Sequence, residues 1–90
     1  SHREDWLILS SAESGIGYSD ILIELLEENI GIVIEIKYSE SRDLEAACQK
    51  ALKQIEEKNY ADRLIDDDME TILKYGIACR KNTCMVRMAE

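Results

Sequence analysis

Ninety residues with 46% apolar content and no proline fit one small domain, spanning 1–90, and exclude a multidomain chain or a long disordered tail. No apolar run nears the ~20 residues that span a bilayer, and no basic-then-apolar leader opens the chain, so neither a membrane helix nor a signal peptide is expected. Nineteen acids against eleven bases give a net charge of −8, which repels phosphate backbones at long range and disfavours a free-standing nucleic-acid-binding module.

Residues 6–10, WLILS, predict a short strand. The serines and glycines of SAESGIG then predict an irregular turn, in which Gly15 and Gly17 serve backbone geometry. Residues 20–26 and 31–37 predict two further strands, separated by EEN; the isoleucines and valine of the second favour β structure. From Arg42 the period changes. Leu44, Ala47, Cys48, Ala51, Leu52 and Ile55 recur at helical spacing, with Ser41 or Asp43 as N-cap and Glu45 well placed in the first turn. The helix is expected to run to about Asn59 or Tyr60. DRLIDDDME reads as a polar connection with room for a helical turn, and residues 71–79 and 83–88 predict two last strands joined by RKN. The order β-β-β-α-β-β predicts an α/β or α+β domain with a small mixed sheet.

Alternation places Ile32, Ile34 and Ile36 on one face of the third strand and Val33, Glu35 and Lys37 on the other, with the isoleucine face expected in the core. If Glu28-Asn29 is the hairpin loop, Asp20 opposes Lys37 and Leu22 opposes Glu35. Asp20 and Glu35 are then diagonal neighbours on one face, about 7–8 Å apart at Cα. A one-residue slip would separate them.

Two carboxylates and a lysine beside an aliphatic strand are costly, since an unpaired buried carboxylate costs several kcal/mol. A hard divalent cation such as Mg²⁺ offsets that cost, and Asp20, Glu35 and the carbonyl of Ile36 offer three oxygens to it. Lys37 then suits holding or deprotonating a water that attacks a phosphodiester. A two-sided hairpin with solvated polar positions accounts for the same residues, because D…E-x-K is a common pattern in an acidic chain. The cysteines are three. Cys79 and Cys84 are spaced to pair, but Cys48 sits among apolar helix positions, and free thiols in a reducing cytoplasm are the simpler reading. No histidine pair or C-x-x-C is present to build a zinc site.

Four segments in order, ESGIGYSDILIE, GIVIEIK, AACQKALKQIEEKNYA and KYGIACRKN, resemble the PD-(D/E)XK nuclease-like domain found at the C-terminus of a group of bacterial AAA-ATPase-like proteins. The resemblance covers residues 6–88. QIEEKNYA is its most distinctive piece, because helix formation does not demand those residues. It implies a restriction-endonuclease-like core, a central mixed sheet flanked by helices. It also implies hydrolysis of nucleic-acid phosphodiesters with Mg²⁺, for which Mn²⁺ substitutes. Carried over onto this chain, Asp20 and Glu35 are the two motif acids and Lys37 the motif lysine. Gln54 is the helix glutamine that helps orient the site. Tyr60 is the aromatic ending that motif, and Glu13 the acid before the glycine-rich turn. Each of the last three also has a plain structural reading: Gln54 as a polar flank of the apolar stripe, Tyr60 as a packing residue and Glu13 as a solvated loop acid.

The chain departs from the family in two places. Where the family often carries G-R-x-D, this chain has Tyr18, which cannot pair as a cation with phosphate or acid. The family fold usually opens with a helix before the first strand, and this chain starts almost at the strand. The resemblance therefore predicts a trimmed or reduced core lacking that first helix, with one flank of the sheet uncovered and favouring association, including homo-oligomers. Phosphate would have to be met by Lys37, Arg80 and Lys81, with Lys50 and Lys53. The alternative function is a catalytically silent interaction or regulatory domain attached to, or partnering, an ATPase domain.

Overall fold

A computed structural model describes residues 5–13, the last four of these by backbone alone, and residues 18–90. The β-branched runs form β1 (Trp6–Glu13), β2 (Tyr18–Leu25) and β3 (Ile30–Tyr38); α1 (Leu44–Glu57) and the short α2 (Asp62–Asp66) follow, then β4 (Thr71–Arg80) and β5 (Thr83–Met88). The strands lie in one sheet in chain order. Every neighbouring pair is antiparallel except β3 and β4, which are parallel. A parallel pair needs a long crossover, and α1 and α2 supply it. The helix begins where Asp43 accepts a hydrogen bond from the Ala46 N–H at 3.0 Å, so of the two candidate caps it is Asp43 that acts. Ser41 in turn accepts from the Asp43 N–H at 3.1 Å. No described helix is long and apolar enough to cross a membrane. The observed mixed sheet, with one main helix after three strands, is the restriction-endonuclease-like arrangement expected.

Two expectations about the hairpin are corrected. Asp20 pairs with Glu35 and Tyr18 with Lys37, two residues away from the expected register, because the chain reverses over residues 26–29 and not over Glu28-Asn29 alone. The Leu26 N–H is drawn to the Asp5 carbonyl at 2.8 Å, and Asn29 takes the positive φ of 56° that closes the turn. A two-residue shift preserves the face of every side chain, so Asp20 and Glu35 stay together and become directly opposed.

The second correction concerns which face is covered. Gly31, Val33 and Glu35 are buried beneath the helices, whereas Ile32, Ile34 and Ile36 are only half-buried on the other side of the sheet. The physical reason lies in residue size. The middle of the sheet-facing stripe of α1 is small, with Ala47, Cys48 and Ala51 buried between Leu44 and Ile55, and it settles on a sheet face that carries Gly76 of β4. At Gly76 a Cβ would lie 2.6 Å from the Cys48 carbonyl oxygen, and at Gly31 one would lie 2.8 Å from Leu64 Cδ1. A row of isoleucines would hold the helices off.

The core divides into two clusters on this face. Leu22, Val33, Ile55, Ala61 and Leu64 pack under the C-terminal half of α1 and under α2; Leu44, Ala47, Cys48 and Ala78 pack under its start. A register shift between Ile8 and Ser10 in β1 turns Leu9 toward the first cluster. Both described helices sit on this face. The opposite face keeps Trp6, Ile8, Val86 and Met88 at least half exposed beside the three isoleucines.

Candidate active site and metal centre

The central strand β3, flanked by β2 and β4, holds Glu35 with no exposed surface, and β2 holds Asp20 directly opposite at 7% exposure. Directly opposed side chains of an antiparallel pair have Cβ atoms about 4.5–5.5 Å apart, closer than the diagonal arrangement expected from sequence. Gly76 is the β4 partner of Glu35, and its missing side chain lets the Cys48 to Leu52 stretch of α1 descend over this part of the sheet. The burial of Glu35 follows from that close approach.

Lys37 stands two residues further along the same face, at the end of the sheet. Its ammonium lies 4.6 Å from the ring centroid of Tyr18, its cross-strand partner, a cation–π contact. The Tyr18 phenol is pushed above its ordinary pKa, first by burial and then by the negative charges of Glu35 and Glu57. Tyr18 thus feels the charge of both the β3 acid and the C-terminal turn of α1. Lys50, Gln54 and Glu57 follow one another at i, i+4 and i+7 and so share one flank of α1. Lys50 lines a cleft of about 270 Å³ with Lys37, Ser39, Ser41 and Asp43. The half-buried Gln54 therefore sits on the flank that overlooks β2 and β3, between a lysine that meets Lys37 and a glutamate that acts on Tyr18.

The structure thus gathers Asp20, Glu35 and Lys37 on one face, with Gln54 on the overlying helix flank. Ile36 is paired with Ser19 on one side and Ile77 on the other. Its half-buried side chain points away from the helices, and its carbonyl belongs to the backbone joining Glu35 to Lys37. Tyr60 is half-buried and packs against the core cluster of Leu22, Val33, Ile55, Ala61 and Leu64, as a packing residue. Glu13 ends β1 opposite Ser19, and its side chain lies outside the described residues, as do Gly15 and Gly17. Sequence reasoning missed Tyr18 as the seat of Lys37, because the expected register put Asp20 there. Only a correct hairpin register would have revealed it.

Two other features of the molecule are distinct from this site. Asp5, Glu27 and Glu28 bring carboxylate oxygens within 4.8 Å of one another, but at the β2–β3 turn, the far end of the hairpin from Asp20 and Glu35. A larger groove, about 640 Å³, runs along the other flank of α1 toward β5, where Arg87 pairs with Glu45 at 2.7 Å and Lys74 with Glu56. These two ion pairs link β5 and β4 to the helix.

Two buried opposed acids on a strand pair, a lysine two residues beyond the second acid, and a covering helix with a glutamine form an arrangement suited to a hard cation and an anionic substrate. A family model of the PD-(D/E)XK nuclease superfamily matches residues 3–89. No curated protein and no solved structure matches the chain. Nucleases of this superfamily generally depend on a divalent metal. The match spans nearly the whole chain and agrees with the strand and helix order, so the chain belongs to the PD-(D/E)XK nuclease superfamily.

Proposed function

We propose that this domain hydrolyses nucleic-acid phosphodiesters with a divalent cation, Mg²⁺ by preference, at the face formed by Asp20, Glu35 and Lys37. The observation that carries the reading is the direct opposition of two buried carboxylates, Asp20 and Glu35, under α1. Opposed carboxylates repel, and burial removes the water that would screen them. A hard cation fits this donor set: Asp20 and Glu35 would hold it, and the Ile36 carbonyl would offer a third oxygen. When bound, such a cation stabilises charge developing on the phosphoryl oxygens and eases deprotonation of the attacking water.

The protein's own groups do the rest. Lys37, seated on the Tyr18 ring, presents its ammonium to the attacking water and to a non-bridging phosphoryl oxygen. Lys50 and the Ser41 hydroxyl, whose oxygen accepts from the Asp43 N–H and whose proton is not committed, line the cleft beside it and suit an adjacent phosphate. Gln54 orients groups from above. The water oxygen attacks phosphorus and releases a proton to solvent, the bond to the leaving sugar oxygen breaks, and that oxygen takes up a proton from solvent.

The distribution of charge supports an anionic substrate despite the net −8. Asp5, the stretch from Glu24 to Asn29 and the stretch from Asp62 to Glu70 together hold nine acids and one base, Arg63. That surplus equals the whole net charge, and the rest of the sequence carries ten acids and ten bases. These acidic segments lie at the β2–β3 turn, α2 and the start of β4, remote from Lys37. Because β3 and β4 are parallel, the turn bearing Arg80 and Lys81 lies at the same end of the sheet as Lys37. Repulsion is thus concentrated away from the site.

A second reading, a catalytically silent interaction domain beside an ATPase domain, is favoured by the uncovered apolar face and by Tyr18 in place of the family's arginine. Cleavage assays on single- and double-stranded DNA and RNA with Mg²⁺ or Mn²⁺ separate the two. Metal-dependent cleavage lost in Asp20→Asn, Glu35→Gln and Lys37→Ala is expected. Cleavage that survives all three substitutions, or no cleavage of any substrate, would refute the nuclease reading.

A further inference from the structure

β4 and β5 meet in a two-residue turn, Lys81-Asn82, with Lys81 at φ 54°. Arg80 and Thr83 close this turn, and in a two-residue hairpin the closing pair exchanges the backbone hydrogen bonds. The next pair outward, Cys79 opposite Cys84, is therefore non-hydrogen-bonded, with Cα atoms about 4.5 Å apart and side chains at their closest. That separation lies inside the ~4.4–6.8 Å window of disulfides. Both are free thiols on the sheet face away from α1, with Cys84 exposed and Cys79 half-buried. The two thiols are near enough for Cys84 to add to the rise in the Cys79 pKa. Cys48 does not compete, since it is buried under α1 on the other face and donates to the Met85 carbonyl at 3.3 Å.

We propose that Cys79 and Cys84 form a dithiol modification site whose substrate is a small-molecule disulfide and whose product is an intrachain disulfide across β4 and β5. Exposure makes Cys84 the entry point. Its thiolate attacks one sulfur of the small disulfide, whose S–S bond breaks and releases one thiolate. Cys79 then gives its proton to solvent and attacks the Cys84 sulfur, and the second small thiolate leaves. The two protein thiols are oxidised by two electrons, and the small disulfide is reduced to two thiols. Cys79 resolves slowly at neutral pH, because burial first, and then the neighbouring Cys84 thiol, push its pKa up to about 11. The product ties the edge strand β5, largely exposed, to the body of the sheet. The site stands apart from the nuclease reading, whose residues lie on the opposite face.

The test is incubation of the folded protein with oxidised glutathione, read by intact mass and by tryptic mapping, which cuts after Arg80 and Lys81. The expected result is the loss of two hydrogens with no retained glutathione. The two tryptic fragments bearing Cys79 and Cys84 stay joined. Ring closure should quicken about tenfold per pH unit below the Cys79 pKa, as its thiolate fraction grows. Cys79→Ser should stop at a stable glutathione adduct on Cys84, and Cys84→Ser should react little. A wild-type protein that keeps glutathione on Cys84, links to a second chain or leaves both thiols unreacted would overturn the proposal.

Discussion

Gly76→Ala tests how the fold makes the site. The added Cβ would meet the Cys48 carbonyl oxygen at 2.6 Å and Leu52 Cγ at 2.9 Å. Ordinary C···O contacts are no shorter than about 3.3 Å, so α1 has to rise by roughly 0.7 Å. The obstacle is helix backbone, which cannot swing aside as a side-chain tip does. Overpacking of this kind costs about 1–3 kcal/mol. For a domain of this size that corresponds to a fall of about 5–20 °C in Tm. Because Gly76 is the strand neighbour of Glu35, lifting α1 also admits water above that carboxylate. Thermal melts followed by circular dichroism measure the first effect, and hydrogen exchange of the α1 amides measures the second. Gly31→Ala is the control. There the nearest atoms belong to the Leu64 side chain, at 2.8 to 3.2 Å, and a smaller loss is expected. A Gly76→Ala protein that melts with wild type and keeps α1 protected would refute this account of how Glu35 is buried.

Three further outcomes follow from the corrected geometry. Val33→Ala removes two buried methyl groups and should cost about 2–3 kcal/mol in denaturant melts, whereas Ile34→Ala on the half-buried face should cost less despite deleting more carbon; the reverse order would contradict the assignment of faces. Tyr18→Phe should keep the upfield ring-current shift of the Lys37 side-chain protons and Tyr18→Leu should lose it; shifts that are unchanged in Tyr18→Leu would exclude the cation–π seat. The third concerns Glu24, buried at 3% exposure, which is held above its ordinary pKa by burial first, then by its hydrogen bond to Asp67 and the charge there; Asp67 is held below its own by the bonds from Glu24 and Arg63. Glu24 thus contributes stability at low pH that is lost as pH rises through its raised value, while Asp67 contributes stability that is lost as pH falls through its lowered value. Wild type should therefore lose Tm relative to Glu24→Gln, which donates to Asp67 at every pH, on going from mildly acidic to neutral solution; a constant difference would contradict the shared proton.

Much of this structure was legible in the residues because the relevant signals are local. The isoleucine-rich run, the helical stripe from Leu44 to Ile55 and the Asp43 cap each act within a few residues, and each element formed where its pattern lies. The shared face of Asp20 and Glu35 survived an incorrect hairpin loop because a two-residue shift leaves the alternation intact. Register itself was not legible. It goes with a longer turn in which the Leu26 N–H bonds the Asp5 carbonyl, a residue just before β1 and distant in sequence. The choice of buried face was misread for a related reason. Hydrophobicity alone favours the isoleucines of β3, but the small residues of α1, Gly31 and Gly76 select the face by how closely backbones can approach. Net charge misled in another way, since a sum over the sequence hides that the surplus acids lie at one end of the sheet.

Thermal denaturation with and without Mg²⁺, on wild type, Asp20→Asn and Glu35→Gln, tests the central assignment most directly. A ligand at a hundred times its Kd stabilises a domain by about 2.7 kcal/mol. The wild-type melt should therefore rise by roughly 10 °C or more at saturating Mg²⁺, and neither variant should respond although both fold. A wild-type melt indifferent to Mg²⁺ and Mn²⁺ would contradict the assignment. So would an undiminished rise in both variants, which would move the ion to Asp5, Glu27 and Glu28 at the far end of the hairpin.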